Sequence, residues 1–379
     1  MKKSLLALGA LSAFVGVAHA QSNVTLYGIV DAGLTYVNNE EGSKNVKLGS
    51  GNLQGSRWGL KGAEDLGGGL KAIFVLENGF SLENGTLGQG GRMFGRQAFV
   101  GLSSATAGTV TIGRQYDSLV DFVGPLASGS QWATFSGAHV QDNDNLNNTF
   151  RINNSIKYTT VNYNGISASA LYGLSNQANT GGGTGFANNR AWSVGVGYSN
   201  GPLTLGAGYL YLGSPNALNN SGGNGRVPGI GGGAVSGDFN SVPGGVDTDR
   251  VQIYALGGSY AIGPVTLGAV YSHSKYDFDG TSTKFDNIEI NGKYMLTPAM
   301  QLGAAYTYTR MNDTQEDDKP KYHQIAIGAD YWLSQRTDAY LVGLWQHVSG
   351  DTFAASLNGQ TQSFAGNQLA VTAGIRHKF

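Results

Sequence analysis

The chain closes on NQLAVTAGIRHKF, residues Asn367 to Phe379. One alternate set reads Leu369, Val371, Ala373, Ile375, His377, Phe379; the other reads Gln368, Ala370, Thr372, Gly374, Arg376, Lys378. A period of two with one apolar and one polar, cationic face is the signature of a β-strand between unlike surroundings. Chain ends usually fray, so a strand that runs to a final aromatic residue predicts a terminus held inside a larger sheet.

At the other end, Lys2 and Lys3 precede the apolar run LLALGALSAFVGVA (5–18) and a small-residue site ending at Ala20. This is the pattern of a secretory signal peptide, 1–20, too short to span a bilayer, leaving a mature domain of 21–379. The chain has no cysteine, which speaks against a small disulfide-framed secreted scaffold. Charges are balanced and sparse: 24 basic and 25 acidic side chains make up 13% of the chain, so no nucleic-acid partner is expected. Glycine, at 60 residues, is about twice its usual share. Beyond the signal no apolar run is long enough for a membrane helix.

What recurs instead is alternation over segments of about ten residues, the length a tilted strand needs to cross a bilayer. In VTLYGIVDAGLTY, Val24, Leu26, Val30 and Leu34 oppose Thr25, Asp31 and Thr35. FRINNSIKY sets Phe150, Ile152, Ile156 and Tyr158 against Arg151, Asn153, Ser155 and Lys157, and AWSVGVGY repeats the split. An internal echo, L-G-A-x-Y, follows a short turn at 202, 264 and 299. Longer polar connections are expected at 175–189, 213–249, 277–285, 311–321 and 350–366. Short turns on one rim and long loops on the other describe an outer-membrane barrel, and tyrosines near strand ends suit its interfacial girdles. Sheet edges left open to hydrocarbon would strand amide groups at several kcal/mol each, so the sheet must close. The fold class is therefore all-β: a transmembrane antiparallel β-barrel of about 16 strands by segment length, with Phe379 at the closure between the last strand and 24–36.

Residues 117–149 break the alternation, yet carry Leu119, Val120, Phe122, Val123, Leu126, Trp132 and Phe135. A long excursion of this kind is usually functional. Folding it into the barrel would bury those side chains, and the expected place is the inner wall near 93–116, where apolar residues share a face with Arg96 and Arg114.

The stretches SNVTLYGIVDAGL, GSRWGLKGAEDLGGGLKAIFVLENGF, FGRQAFVGLSS, GTVTIGRQYDS, NNSIKYTT and TAGIRHKF span both ends of the mature chain. In them the sequence resembles the trimeric general diffusion porins of the Gram-negative outer membrane, in the neisserial-type branch of beta-proteobacteria. The resemblance implies a sixteen-stranded barrel, a homotrimer in the outer membrane among lipid and lipopolysaccharide, and a third external loop, 117–149, folded inward to narrow the pore. It also implies that Arg57, Arg96 and Arg151 are basic wall residues facing that loop, with Phe379 the terminal assembly signal.

A lipid-facing arginine near midplane costs about 2 to 4 kcal/mol, which independently favours the lumen for these cations. Lys61, Arg114 and Lys157 join the expected wall, and Asp117, Asp121 and Glu77 are the expected opposing acids. Such an arrangement sets a field across a wet passage for ions and small hydrophilic solutes, and the excess of cations favours anions. The rival reading is a secreted all-β adhesin, which would need a water-facing exterior.

Signals for catalysis are absent: no metalloprotease, P-loop or nucleophile-elbow string occurs, so neither enzyme activity nor a cofactor or metal is expected. The best histidine–acid guesses are His273 with Asp277 and His323 with Asp330. DNDN at 142–145 lacks the glycine and glutamate of a calcium loop and reads as a solvated stretch. QEDDK at 315–319 reads as a soluble loop tip.

Overall fold

The computed structural model describes residues 23–174, 190–213, 249–278, 280–314, 319–350 and 354–379. The signal segment, the connection expected at 175–189, all but the two ends of that expected at 213–249, and most of QEDDK fall outside the described residues.

The first strands are β1 (Asn23–Glu40), β2 (Ser43–Ser50), β3 (Arg57–Gly67), β4 (Leu70–Gly79), β5 (Gln97–Ser104), β6 (Gly108–Gln115), β7 (Ile152–Thr159) and β8 (Ile166–Gly173). They continue through β9 (Ala191–Asn200), β10 (Leu203–Gly213), β11 (Arg250–Ile262), β12 (Val265–Phe278), β13 (Thr281–Thr297), β14 (Met300–Asp313), β15 (Lys321–Trp332), β16 (Thr337–Ser349) and β17 (Asn367–Lys378). Each strand pairs antiparallel with its successor, apart from the break between β2 and β3, and β17 pairs with β1, closing a cylinder. Two strands share one position: β3 pairs with the first part of β1 and β2 with the second. Seventeen strands thus make 17 − 1 = 16 staves.

The break between β2 and β3 has a local cause. Gly51 takes a left-handed φ of 70°, and the inward carboxylate of Asp31 accepts hydrogen bonds from Leu53 N (3.1 Å) and Gln54 N (2.8 Å). Backbone amides freed by the kink are thereby satisfied.

The terminal strand behaves as its alternation predicts. Gln368, Ala370, Thr372 and Arg376 are buried inside, whereas Ile375 and Phe379 are exposed outside. Around the barrel the outer face carries Leu26, Leu34, Val100, Ile112, Val196, Leu256, Ile290, Ile327 and Leu341. A continuous apolar band of this kind on a closed sheet is a lipid-facing surface. Tyr158, Tyr260, Tyr294 and Tyr331 mark its short-turn edge, and Tyr254 and Tyr306 its loop edge.

Two expectations fail for identifiable reasons. Strands β12 and β13 stay paired up to Phe278↔Thr281, so 277–285 is strand and tight corner, not a long loop. In FRINNSIKY, Ile156 and Tyr158 are exposed, but Phe150 and Ile152 are buried inside alongside Arg151 and Ser155. The β6–β7 register slips between Gly113 and Gln115, and Asn154 adopts φ 51°. A one-residue slip moves every later side chain to the opposite face.

At the seam Gly28 N donates to Phe379 O (3.0 Å) and Phe379 N to Gly28 O (3.1 Å), with the aromatic ring lying where a Gly28 side chain would stand. Deleting Phe379 orphans that pair of backbone groups beside hydrocarbon, at several kcal/mol each. The expected result is a lower melting temperature of the compact barrel, read as gel heat-modifiability. An unchanged midpoint would show that closure does not depend on this residue.

Candidate functional site

The segment 117–149 does enter the barrel, but among the described residues its packing contacts run along β8–β16, on the side away from the expected 93–116. It begins with a short helix, Ser118–Phe122, whose first amides are capped by Asp117: Oδ1 accepts from Leu119 N (2.8 Å) and Val120 N (3.2 Å). Ser118 Oγ meets Ser169 Oγ at 2.8 Å, and the Phe122 ring lies over Gly195 and Gly197. Side chains at those glycines, or at Gly206, would collide with Phe122. Further along, Ser128 N and Oγ both donate to Glu289 (2.8 Å each), and Trp132 lies flat on Gly303 and Gly328. Gly206 and Gly303 are the glycines of the L-G-A-x-Y echo, so two of its three copies seat the loop.

The tip crosses the lumen, where Phe135 N donates to Asn52 O (2.7 Å). There a second loop meets it: Asn358 Nδ2 donates to Phe135 O (3.0 Å) and Gln360 Nε2 to Ser136 Oγ (2.8 Å). No alternation or motif in the sequence marks this second inward contact.

The return limb contains DNDN, and it is buried, not solvated. His139 Nδ1 lies 2.5 Å from Asp144 Oδ2, and Nε2 lies 3.3 Å from Glu289 Oε2. Ser272 donates to Asp144; Asn143 Oδ1 accepts from Ser274 Oγ (2.6 Å) and Asn287 Nδ2 (3.0 Å). Asp142 accepts from Asn147 N (2.9 Å) and from Thr149. Burial alone would depress the imidazolium of His139, but Asp144 and Glu289 hold its pKa well above the usual value. Burial, then the neighbouring Asp144, pushes the Asp142 carboxyl up to about 7, whereas His139 keeps Asp144 below its ordinary range despite burial. Burial, then Asp121, raises Asp117 to about 6.

Facing the loop across the lumen are the expected arginines. Arg96 Nε donates to Glu77 Oε1 (2.8 Å) and Nη2 to Tyr116 OH (3.1 Å); Tyr116 OH also donates to Glu77 Oε1 (3.1 Å). The Arg151 guanidinium lies 5.5 Å from the centre of the Tyr116 ring, a cation–π distance. Arg57 Nε donates to Gly55 O (2.9 Å) and Arg151 Nη1 to Thr149 O (3.2 Å). Among the described residues neither Arg57 nor Arg151 makes an ion pair. These three arginines line a cavity of about 860 Å³ together with Asn52, Tyr116, Ser130, Ser136, Gln141 and Asn147. Glu83, on the loop after β4, is the acid on its lining.

The expected opposing acids are placed elsewhere. Asp117 is a fully buried helix cap, and Asp142 and Asp144 are consumed within the loop's own network. Asp121 pairs with Lys157, whose Nζ also donates to Tyr116 O (2.9 Å). Glu77 belongs to the basic wall itself, on β4. Arg114 donates from Nε to Gly95 O (2.7 Å) and contacts Asn153, and Lys61 Nζ lies 5.3 Å from the Tyr27 ring centre. The loop surface toward the arginines is neutral and polar, so the field across the cavity is one-sided. Tyr116 and Tyr27 organise the wall, yet as single tyrosines carried no distinguishing sequence signal.

The histidine pairs do not form. His273 Nδ1 lies 2.8 Å from Asp286, and His323 Nδ1 lies 2.6 Å from Tyr306 OH on the outer face, whereas Asp330 is buried inside.

The chain is 32% identical to an outer membrane porin protein of Bordetella pertussis and 31% identical to outer membrane porin protein 32 of Delftia acidovorans, over the full length of both chains in each case. Its fold superposes on a solved anion-selective porin from Comamonas acidovorans with a TM-score of 0.74 and 28% identity, covering 95% of this chain and 100% of that one. The Gram-negative porin family matches residues 7–351, and this closed barrel with its inward loop belongs to that family, as a channel of the outer membrane.

Proposed function

We propose that the channel passes ions and small hydrophilic solutes passively and favours anions, because Arg57 and Arg151, which have no ion-pair partner among the described residues, face a neutral stretch of loop. Arg96 adds less, since Glu77 offsets it. A one-sided positive potential raises the local concentration of anions and lowers that of cations. The Comamonas relative is described as anion-selective, which supports the same sign here. The assembly in this reading is a homotrimer among outer-membrane lipid and lipopolysaccharide, exported by cleavage of residues 1–20, with no catalytic role.

Planar-bilayer recording tests this. Openings in steps of three, with a reversal potential displaced toward the anion in a salt gradient, are expected; silence from folded protein would reject the channel, and displacement toward the cation would reject the proposed selectivity.

A further inference from the structure

On the lumenal side of the last three strands, three glutamines stand in one row. Gln324 on β15 lies directly opposite Gln346 on β16, which lies directly opposite Gln368 on β17, and all three are buried. A glutamine amide both donates and accepts, so a row of them can carry a hydrogen-bond chain from one partner to the next. Here the chain starts in the β16–β17 loop, where Ser356 N donates to Gln346 Oε1 (2.7 Å). Gln346 Nε2 then donates to Gln324 Oε1 (3.0 Å), and Gln324 Nε2 to Gly137 O and Ala138 O of the inward loop (3.1 Å each). A backbone N–H only donates and a backbone C=O only accepts, so neither amide can turn over without breaking the chain.

Gln368 anchors the β16–β17 loop a second time. Its Oε1 accepts from Leu357 N (2.8 Å), and its Nε2 donates to Thr361 O and Asn39 O (2.7 Å each). Beside the row, Leu357 joins Trp132 and Ala133 of the inward loop in one buried apolar cluster with Leu344 and Ala370. Gly359 adopts φ 72° against the Phe135 ring, where a side chain would collide. Residues 356–360 also line the 860 Å³ cavity that the arginines line, so both loops are walls of the passage. Withdrawal of the β16–β17 loop would leave Gln346 Oε1 without its donor, and withdrawal of the inward loop would leave Gln324 Nε2 without its acceptors. Each loop therefore favours the seated position of the other.

We propose that Gln324 and Gln346 are positioning residues for the aperture: they make the two loops seat as one unit, so that the β16–β17 loop holds the pore narrow and its release widens it. The inference rests on the passive-channel reading above but not on its charge selectivity, because neither glutamine lines the cavity.

The purified protein in planar bilayers and in liposomes tests this. Gln346→Leu is expected to raise single-channel conductance by about 1.5-fold and raffinose entry by about threefold, with the sign of the reversal potential unchanged. Gln324→Leu cuts the same chain at its other end and should do likewise, and the double variant should open no further than either single change. Gln324→Leu also carries the test if Gln346→Leu does not give a heat-modifiable barrel. The chain has no cysteine, so Ser136→Cys and Gln360→Cys supply the only thiols, and a short bismaleimide joining them ties the two loops together. With the loops tied, Gln346→Leu is expected to conduct as the tied protein without it does. Unchanged conductance and raffinose entry in both single variants, effects that add in full in the double variant, or a widened pore that tying does not narrow would each overturn the proposal. Silence from the unaltered protein would instead reject the channel reading, which keeps the two failures apart.

Discussion

Replacing Arg57 and Arg151 with glutamate is expected to turn an anion-favouring pore into a cation-favouring one. A unit charge about 8 Å from a passing ion, in water-like surroundings, contributes on the order of 0.5 kcal/mol, and charge reversal counts that twice. Two reversals then amount to about 2 kcal/mol, enough to change the anion-to-cation permeability ratio by roughly tenfold or more. The effect should shrink at high salt, where the Debye length falls to about 3 Å. Reversal potentials in a potassium chloride gradient read it directly. If they do not move, the two guanidinium groups lie off the conduction path. Asp117→Asn supplies a contrast: as a buried cap it should leave selectivity alone, although it sits on the same loop.

The second large effect concerns how the loop is held. His139→Leu leaves Asp144 and Glu289 buried without their shared cation. Breaking a buried ion pair on one side costs about 3 to 5 kcal/mol, because the remaining charge is left buried and unpaired. The barrel, closed by its own ladder, should remain heat-modifiable on gels, while single-channel conductance rises and open-channel noise increases. A quiet channel of unaltered conductance would mean that the loop does not depend on this cluster.

The same cluster gives a pH dependence in the unaltered protein. Asp142 is raised from 3.8 to about 7 in the seated loop, so the seated form holds its proton more tightly than a detached loop would. That contribution is complete below about pH 4, declines as pH rises, and is gone above about 7. His139, also raised, contributes below its ordinary value of 6.5 and loses that contribution as pH rises through its folded pKa. Both point the same way: open-channel noise should grow as pH rises from about 4 through about 7 and further as His139 loses its proton, and Asp142→Asn should flatten the lower part of the rise.

Alternation carried much of this architecture into the sequence. Residues 367–379 expose Ile375 and Phe379 and bury Gln368, Thr372 and Arg376, because a lumen and a bilayer impose opposite demands on successive residues. The basic wall was read from the family resemblance, and the cost of a lipid-facing arginine favours the same lumenal side. What alternation cannot register is a slip of one residue, so the bulge at Gly113 and Asn154 hid the inward turn of Phe150 and Ile152. The side on which the loop lies was equally hidden. It depends on glycines in β9, β10, β14 and β15 meeting Phe122 and Trp132, contacts separated by 70 residues or more in the chain. DNDN misled because acids and amides read as water-loving, whereas here they satisfy one another in the interior.

Those glycines bear on how such channels diversify. With no side chain between Trp132 and the strands beneath it, the loop lies as far from the arginines as the wall permits. A single methyl at Gly303 or Gly328 would act as a shim, lifting the loop toward the opposite side and shrinking the calibre of the passage without touching any pore-lining residue. Size exclusion in this scaffold can thus be retuned from behind the loop, leaving the charge that sorts solutes as it was.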